Sequence, residues 1–202
     1  MISIEFIVTS LVVILIPGTG VIYTVATSIF KGKRAGITAA FGCTMGIVPA
    51  LLASALGLAA LFHTSALAFQ ILKYMGSVYL MYLAWQMWRS ATPITVGKAQ
   101  TSLSLTGIAT KGFLINILNP KLSIFFLAFL PQFIPVTADS TLKPMLLLGG
   151  TFMLMTFAVF VVYGFLSGYF GQFVVNSEKT SIRMQQAFAT CFAGMGLKLA
   201  VS

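Results

Sequence analysis

The sequence predicts an all-α integral membrane protein. Six transmembrane helices form two inverted three-helix repeats, with a broken helix in each half. Three observations predict this. Of the 202 residues, 58% are hydrophobic and only 7% charged, against about 25% charged in soluble domains. The apolar residues fall into runs of about 20, the length that crosses a bilayer core. Proline interrupts the first and fourth runs, at Pro17 and Pro120. A mean hydropathy of +1.00 agrees with a lipid environment.

The six expected spans are residues 4–30, 35–62, 66–89, 112–133, 144–170 and 185–201. A polar stretch at 90–111, with Pro93, Gly97 and Lys98, separates halves at about 1–89 and 112–202 of a single domain, 1–202. The first residues do not read as a signal peptide: Glu5 stands where positive charge is expected, and no small-residue cleavage site follows.

The net charge of +9 raises the possibility of a nucleic-acid partner. The basic residues lie between apolar runs, however, which fits membrane orientation and no nucleic acid. Lys31, Lys33, Arg34, Arg89, Lys98, Lys111, Lys179 and Arg183 fall in the first, third and fifth loops. That bias places those loops in the cytoplasm and both termini in the periplasm.

Two halves of three spans each must have opposite orientation. The sequence carries an echo of that repeat. Ile14-Leu15-Ile16-Pro17 matches Ile117-Leu118-Asn119-Pro120, and Gly42-x-x-x-Gly46 matches Gly164-x-x-x-Gly168. Gly76 and Gly194 hold similar places in the third and sixth spans. Such glycines let membrane helices approach closely, within the chain or across a homodimer. Inverted repeats with interrupted helices are a transporter architecture. A break frees backbone N–H and C=O groups at membrane depth, tolerable only inside protein or beside a wet cavity. Pro17-Gly18-Thr19-Gly20 supplies one break and Asn119-Pro120-Lys121 the other.

At these residues the chain resembles the LysE/RhtB family of amino-acid exporters. The resemblance runs through Pro17-Gly18, Gly32-Lys33-Arg34-Ala35-Gly36 and Gly76-x-x-Tyr79-Leu80. It continues through Gly112-Phe113-Leu114-x-Asn116-x-x-Asn119-Pro120-Lys121, Leu130-Pro131-Gln132-Phe133 and Gly194-x-Gly196-Leu197. It implies a bacterial inner-membrane exporter of amino acids or similar metabolites, driven by the proton gradient, with no cofactor and no metal. Many members carry Pro-Gly-Pro and then aspartate or asparagine at the first break. Here Thr19 and Gly20 stand instead, and the only carboxylates are Glu5, Asp139 and Glu178, none in the middle of a span. Coupling through the usual carboxylate is therefore missing. A cationic side chain would also pass Lys121 without an intramembrane anion to balance it. A neutral zwitterion of the threonine or homoserine kind fits better.

The candidate substrate-binding residues are Pro17, Gly18, Thr19, Thr24, Asn116, Asn119, Pro120 and Lys121. Gly112, Asn116, Asn119 and Ser123 follow a 4, 3, 4 spacing that falls on one helix face. Gly20, Thr24, Thr27 and Lys31 repeat it, so two polar stripes are expected to face each other. Lys121, with the N–H groups freed near Pro120, is expected to attract the substrate carboxylate. Carbonyls before Pro17, with Thr19 and Thr24, are expected to receive the ammonium. Lys121 reaching an interface or bonding broken-helix carbonyls, and Asn116 and Asn119 capping backbone, stay open as structural alternatives. Pro131 and Gln132 are expected to shape the outer end of the fourth span. Tyr79, Tyr82 and Trp85 are expected mainly to pack. Trp85, Trp88 and Arg89 mark an interface, as does His63.

Three other functions fit the sequence less well. A thiol-disulfide electron carrier needs reactive cysteines at matched positions; Cys43 and Cys191 lie in spans two and six, which are not counterparts. A membrane-embedded enzyme needs a carboxylate cluster or an activated nucleophile, and the chain offers neither. A non-transporting scaffold or small channel would lack saturable, gradient-dependent export.

Overall fold

A computed structural model of the protein describes residues 2–16, 18–62, 66–89, 104–119, 122–123, 125–134, 141–167 and 178–201. Pro17, His63, Pro120, Lys121 and Gly168, all singled out above, lie outside these residues, as does the Cys191 side chain. Among the described residues there are eight α-helices and no strand.

The first apolar run is two helices, α1 (Ile4–Leu15) and α2 (Thr19–Lys31), whose axes meet at 56°. Ser3 caps α1, its Oγ accepting from the Phe6 N–H at 3.1 Å. Gly18 caps α2 without a side chain. Lys31 lies in the last turn of α2, where the helix dipole favours a cation.

Gly32, at φ 86°, then reverses the chain into α3 (Lys33–Met45). Only glycine takes that angle without strain. A turn at Gly46 and Ile47 leads into α4 (Val48–Phe62). α5 (Ala66–Arg89) ends the first half. The second half contains α6 (Leu105–Ile117), a π-helical segment Phe125–Phe129, a 3-10 turn Leu130–Phe133, α7 (Leu142–Phe165) and α8 (Glu178–Val201).

Two stretches, Lys33–Gly57 and Leu142–Phe165, are long and apolar enough to cross a membrane as continuous helices; the bent α1–α2 pair makes a third. α5 and α8 each have 24 residues, enough to span at about 1.5 Å per residue. Gln70, Lys73, Gln86 and Arg89 dilute the apolar content of α5, as Lys179, Arg183 and Lys198 do in α8. The outward faces are apolar: Leu154 is 74% exposed and Val78 69%. That surface belongs against lipid, not water.

Two boundaries differ from expectation. The fourth run begins at Leu105, not residue 112, because Ser104 caps it by accepting from the Gly107 N–H at 3.2 Å. Lys111 is therefore on a helix and not in a loop; its Nζ sits 5.8 Å from the centre of the Tyr23 ring. The sixth run begins at Glu178, not residue 185.

Glycine sets the closest contacts. A Cβ on Gly42 would strike the Ala109 carbonyl, and one on Gly46 would lie 2.5 Å from that of Phe113. On the other side, a Cβ on Gly112 would lie 2.9 Å from the Ala39 carbonyl. The expected close approach at Gly42 and Gly46 is thus a seam between α3 and α6. In α8 the contact glycine is Gly196, 3.1 Å from Met81, whereas Gly194 meets nothing within 4 Å. Ser77 Oγ donates to the Gly196 carbonyl at 2.7 Å and ties α5 to α8.

Candidate functional site: a cavity between two helix breaks

The second break is as definite as the first. α6 stops at Ile117, and the Asn119 carbonyl accepts from the N–H groups of Leu122 (3.1 Å) and Ser123 (3.4 Å), starting a new helical turn. The π-helical segment follows directly, with the Phe126 carbonyl accepting from Ser54 Oγ at 2.6 Å. Pi-helical turns are rare and concentrate at functional sites. Pro131 occupies the first turn of the 3-10 segment, where its missing N–H costs nothing.

Both breaks open onto one cavity of about 30 Å³. Gly18 and Gly20 line it from the first break, Asn119 and Leu122 from the second, and Asn116 from the last turn of α6. Val13 and Ile14 of α1, Ile16 just after it, Val21 of α2, and Phe152, Thr156 and Phe160 of α7 complete the described wall. The described wall holds no charged side chain. The volume is about that of one water molecule, too small to hold an amino acid in this state.

Of the residues expected at the site, Gly18, Asn116 and Asn119 line the cavity. Thr19 is exposed on the first turn of α2 and Thr24 is fully buried one turn beyond Gly20; neither is in the wall. The two polar stripes meet at Gly20 and Asn116, where a Cβ on Gly20 would lie 2.9 Å from Asn116 Oδ1. They do not face each other along their length. Gly112 is turned onto α3 instead, because only a glycine there admits the Ala39 carbonyl.

Asn116 performs a backbone repair. At the turn after α3 the Ile47 N–H donates to the Thr44 carbonyl, and the Cys43 carbonyl accepts from Asn116 Nδ2 at 2.7 Å. The expected capping role is therefore present, and the same side chain faces the cavity. At the first break, Tyr163 Oη donates to the Leu15 carbonyl at 2.9 Å. One of the carbonyls expected to await the substrate ammonium thus already has a protein partner.

Close packing flanks the cavity in both directions. Toward the start of α1 runs a ladder of rings: Phe152 to Phe125 at 4.8 Å, Phe125 to Phe129 at 5.4 Å, Phe129 to Phe133 and Phe133 to Phe6 at 5.3 Å each. Toward Lys31, Ser28 Oγ donates to the Gly164 carbonyl at 2.6 Å, and a Cβ on Gly36 would lie 2.6 Å from Ser28. Away from the site, Tyr79, Tyr82 and Trp85 stack along α5 at 6.1 and 6.3 Å, with Arg89 over Trp85 at 5.3 Å. Tyr82 and Trp85 are exposed, so they pack on one another and not into the core.

Sequence inspection missed Thr156, the one polar residue the cavity takes from α7. A threonine in a long apolar run was the available signal, though its Oγ1 donates to the Phe152 carbonyl at 2.8 Å. The ring ladder was not legible, since phenylalanines facing a cavity and facing lipid read alike.

Fold and site together define a helical membrane protein with two interrupted helices meeting at a cavity whose described wall carries no charged side chain. The chain belongs to the LysE type translocator family, whose model matches residues 11–202. It is accordingly a membrane transporter and not an enzyme. A protein of Vibrio cholerae serotype O1 described as an uncharacterized membrane protein is 32% identical over 98% of this chain and 95% of its own length. The homoserine/homoserine lactone efflux protein of Salmonella typhimurium is 31% identical, over 96% of this chain and 94% of its own. The leucine efflux protein of Salmonella choleraesuis is 27% identical, over 96% and 92%. No solved structure matches the chain.

Proposed function

We propose that the protein exports small neutral amino acids or their derivatives, of the threonine or homoserine kind, across the bacterial inner membrane. The observation that carries this is the sharing of one cavity by both helix breaks. The described wall, which carries no charged side chain, suits a zwitterion without a side-chain charge, and its apolar part suits a short side chain. A relative named for homoserine efflux, aligned over nearly its whole length, supports the same substrate class. The proton gradient drives export, without a carboxylate inside the membrane to carry the proton.

Six crossings in two inverted halves, with both termini periplasmic, fit the pairing of helices. α5 and α8, the third crossing of each half, pack on each other, as self-paired elements of a two-fold operation would. α3 of the second crossing packs on α6 of the fourth, and α7 of the fifth on α1 and α2 of the first. These last two are the same contact seen from each half.

Lys121, between Asn119 and Leu122 in sequence, draws the substrate carboxylate to the second break. Counter-flow in proteoliposomes with a panel of labelled amino acids, with and without a pH gradient, tests the proposal. Saturable exchange of a small neutral amino acid, enhanced by the gradient, is the expected result. No exchange across the panel would point to the scaffold or to the electron carrier instead. Folded Lys121→Ala protein should exchange at least about tenfold more slowly, the loss of one charge-assisted hydrogen bond. An unchanged rate would remove Lys121 from recruitment.

A further inference from the structure

Ser10 and Thr24 are each fully buried; the Ser10 hydroxyl has no hydrogen-bond partner, and that of Thr24 has none but the neighbouring Cys43 thiol. Helical hydroxyls usually avoid this by donating to the carbonyl four residues back. Thr44, Thr151, Thr156 and Thr190 all do so here, at 2.8–3.0 Å. Ser10 does not, although it sits in the middle of α1 with that carbonyl nearby in sequence.

The two orphans are placed alike with respect to the cavity. Ser10 shares the buried face of α1 with Phe6, Val13 and Ile14. Val13 and Ile14 line the cavity, so Ser10 lies one turn from it toward the start of the chain. Thr24 lies one turn beyond Gly20 in the other direction, beside the Cys43 thiol, a weak partner at best. An alanine at either place would be more favourable in this state. The hydroxyls make physical sense if another state gives them partners.

We infer that Ser10 is a substrate-positioning residue of the translocation path, its hydroxyl bonding the charged amino-acid head as it passes between the cavity and the end of the molecule bearing Phe6. Thr24 is the matching station on the other side. This rests on the export proposed above. The ring ladder from Phe152 to Phe6 must part for Ser10 to be reached, so its hydroxyl is unsatisfied only while the path is shut.

Ser10→Ala tests this with two readouts. Removing an unsatisfied hydroxyl should leave thermal stability in detergent unchanged or raise Tm by about 2–4 °C. Counter-flow of the amino acid that the wild-type protein exchanges should fall about tenfold. Slower exchange with a Tm no lower than wild type supports the inference. An unchanged rate, or a slower rate with a lowered Tm, overturns it. Wild-type protein run in parallel separates the two proposals: if it exchanges nothing, the export proposal fails, and if it exchanges while Ser10→Ala matches it, only the role of Ser10 fails.

Discussion

Gly42→Leu should yield no stably folded protein. The obstacle at that position is the backbone carbonyl of Ala109 on α6, and backbone cannot rotate aside as a side chain can. Overpacking of a core typically costs about 1–3 kcal/mol, and a rigid neighbour pushes the cost to the top of that range or beyond. The seam has little slack elsewhere, since an added Cβ would also lie closer than 3.0 Å to backbone at Gly46 and Gly112. Forcing α3 from α6 would also pull Asn116 from the Cys43 carbonyl. Gly57→Leu is the matched control, because nothing lies within 4 Å of a Cβ there. Thermal unfolding and size-exclusion profiles in detergent should show aggregation for Gly42→Leu and near-normal behaviour for Gly57→Leu. A folded Gly42→Leu protein with a wild-type Tm would contradict the packing described here.

Asn116→Leu should damage stability and transport together. The substitution keeps much of the volume and removes the amide. The Cys43 carbonyl then loses its donor at a depth where water is not at hand. Interhelical hydrogen bonds in membranes contribute about 0.6 kcal/mol on average and about 1.7 at most. The expected loss is therefore about 0.6–1.7 kcal/mol, tolerable for folding. Transport should suffer more, because the cavity loses a polar group where its two breaks meet. Counter-flow at or near the background level, from protein that still unfolds cooperatively in detergent, is the expected result. Wild-type exchange would show that Asn116 serves the backbone alone.

How far the sequence disclosed all this depends on what kind of signal each feature leaves. The two breaks were legible because proline, glycine and asparagine in an apolar run have few explanations. The helix stops at Leu15 and Ile117 fall two and three residues before Pro17 and Pro120. The glycine pair Gly42 and Gly46 announced a close contact, but its partner was not legible. Only the fold brings Gly112 opposite, and Gly112 had been placed on a polar stripe. The π-helical segment was invisible, because Phe-Phe-Leu-Ala-Phe has no polar residue to reveal a period. Its stabilising partner, Ser54, is 72 residues away. Thr24 was chosen for its polarity and proved buried off the cavity; Ser10 was passed over because a serine in an apolar helix is common. Their unsatisfied state is a tertiary property that no local pattern carries.

The shared use of one cavity by both breaks can be tested most directly by substrate protection. Cysteines placed one at a time at Gly18 and Asn119, with Cys43 and Cys191 replaced by alanine, would be exposed to a small water-soluble thiol reagent in proteoliposomes. Modification at either position should block exchange, and the transported amino acid should slow modification at both. Protection at one position and not the other, or at neither, would contradict a common translocation cavity.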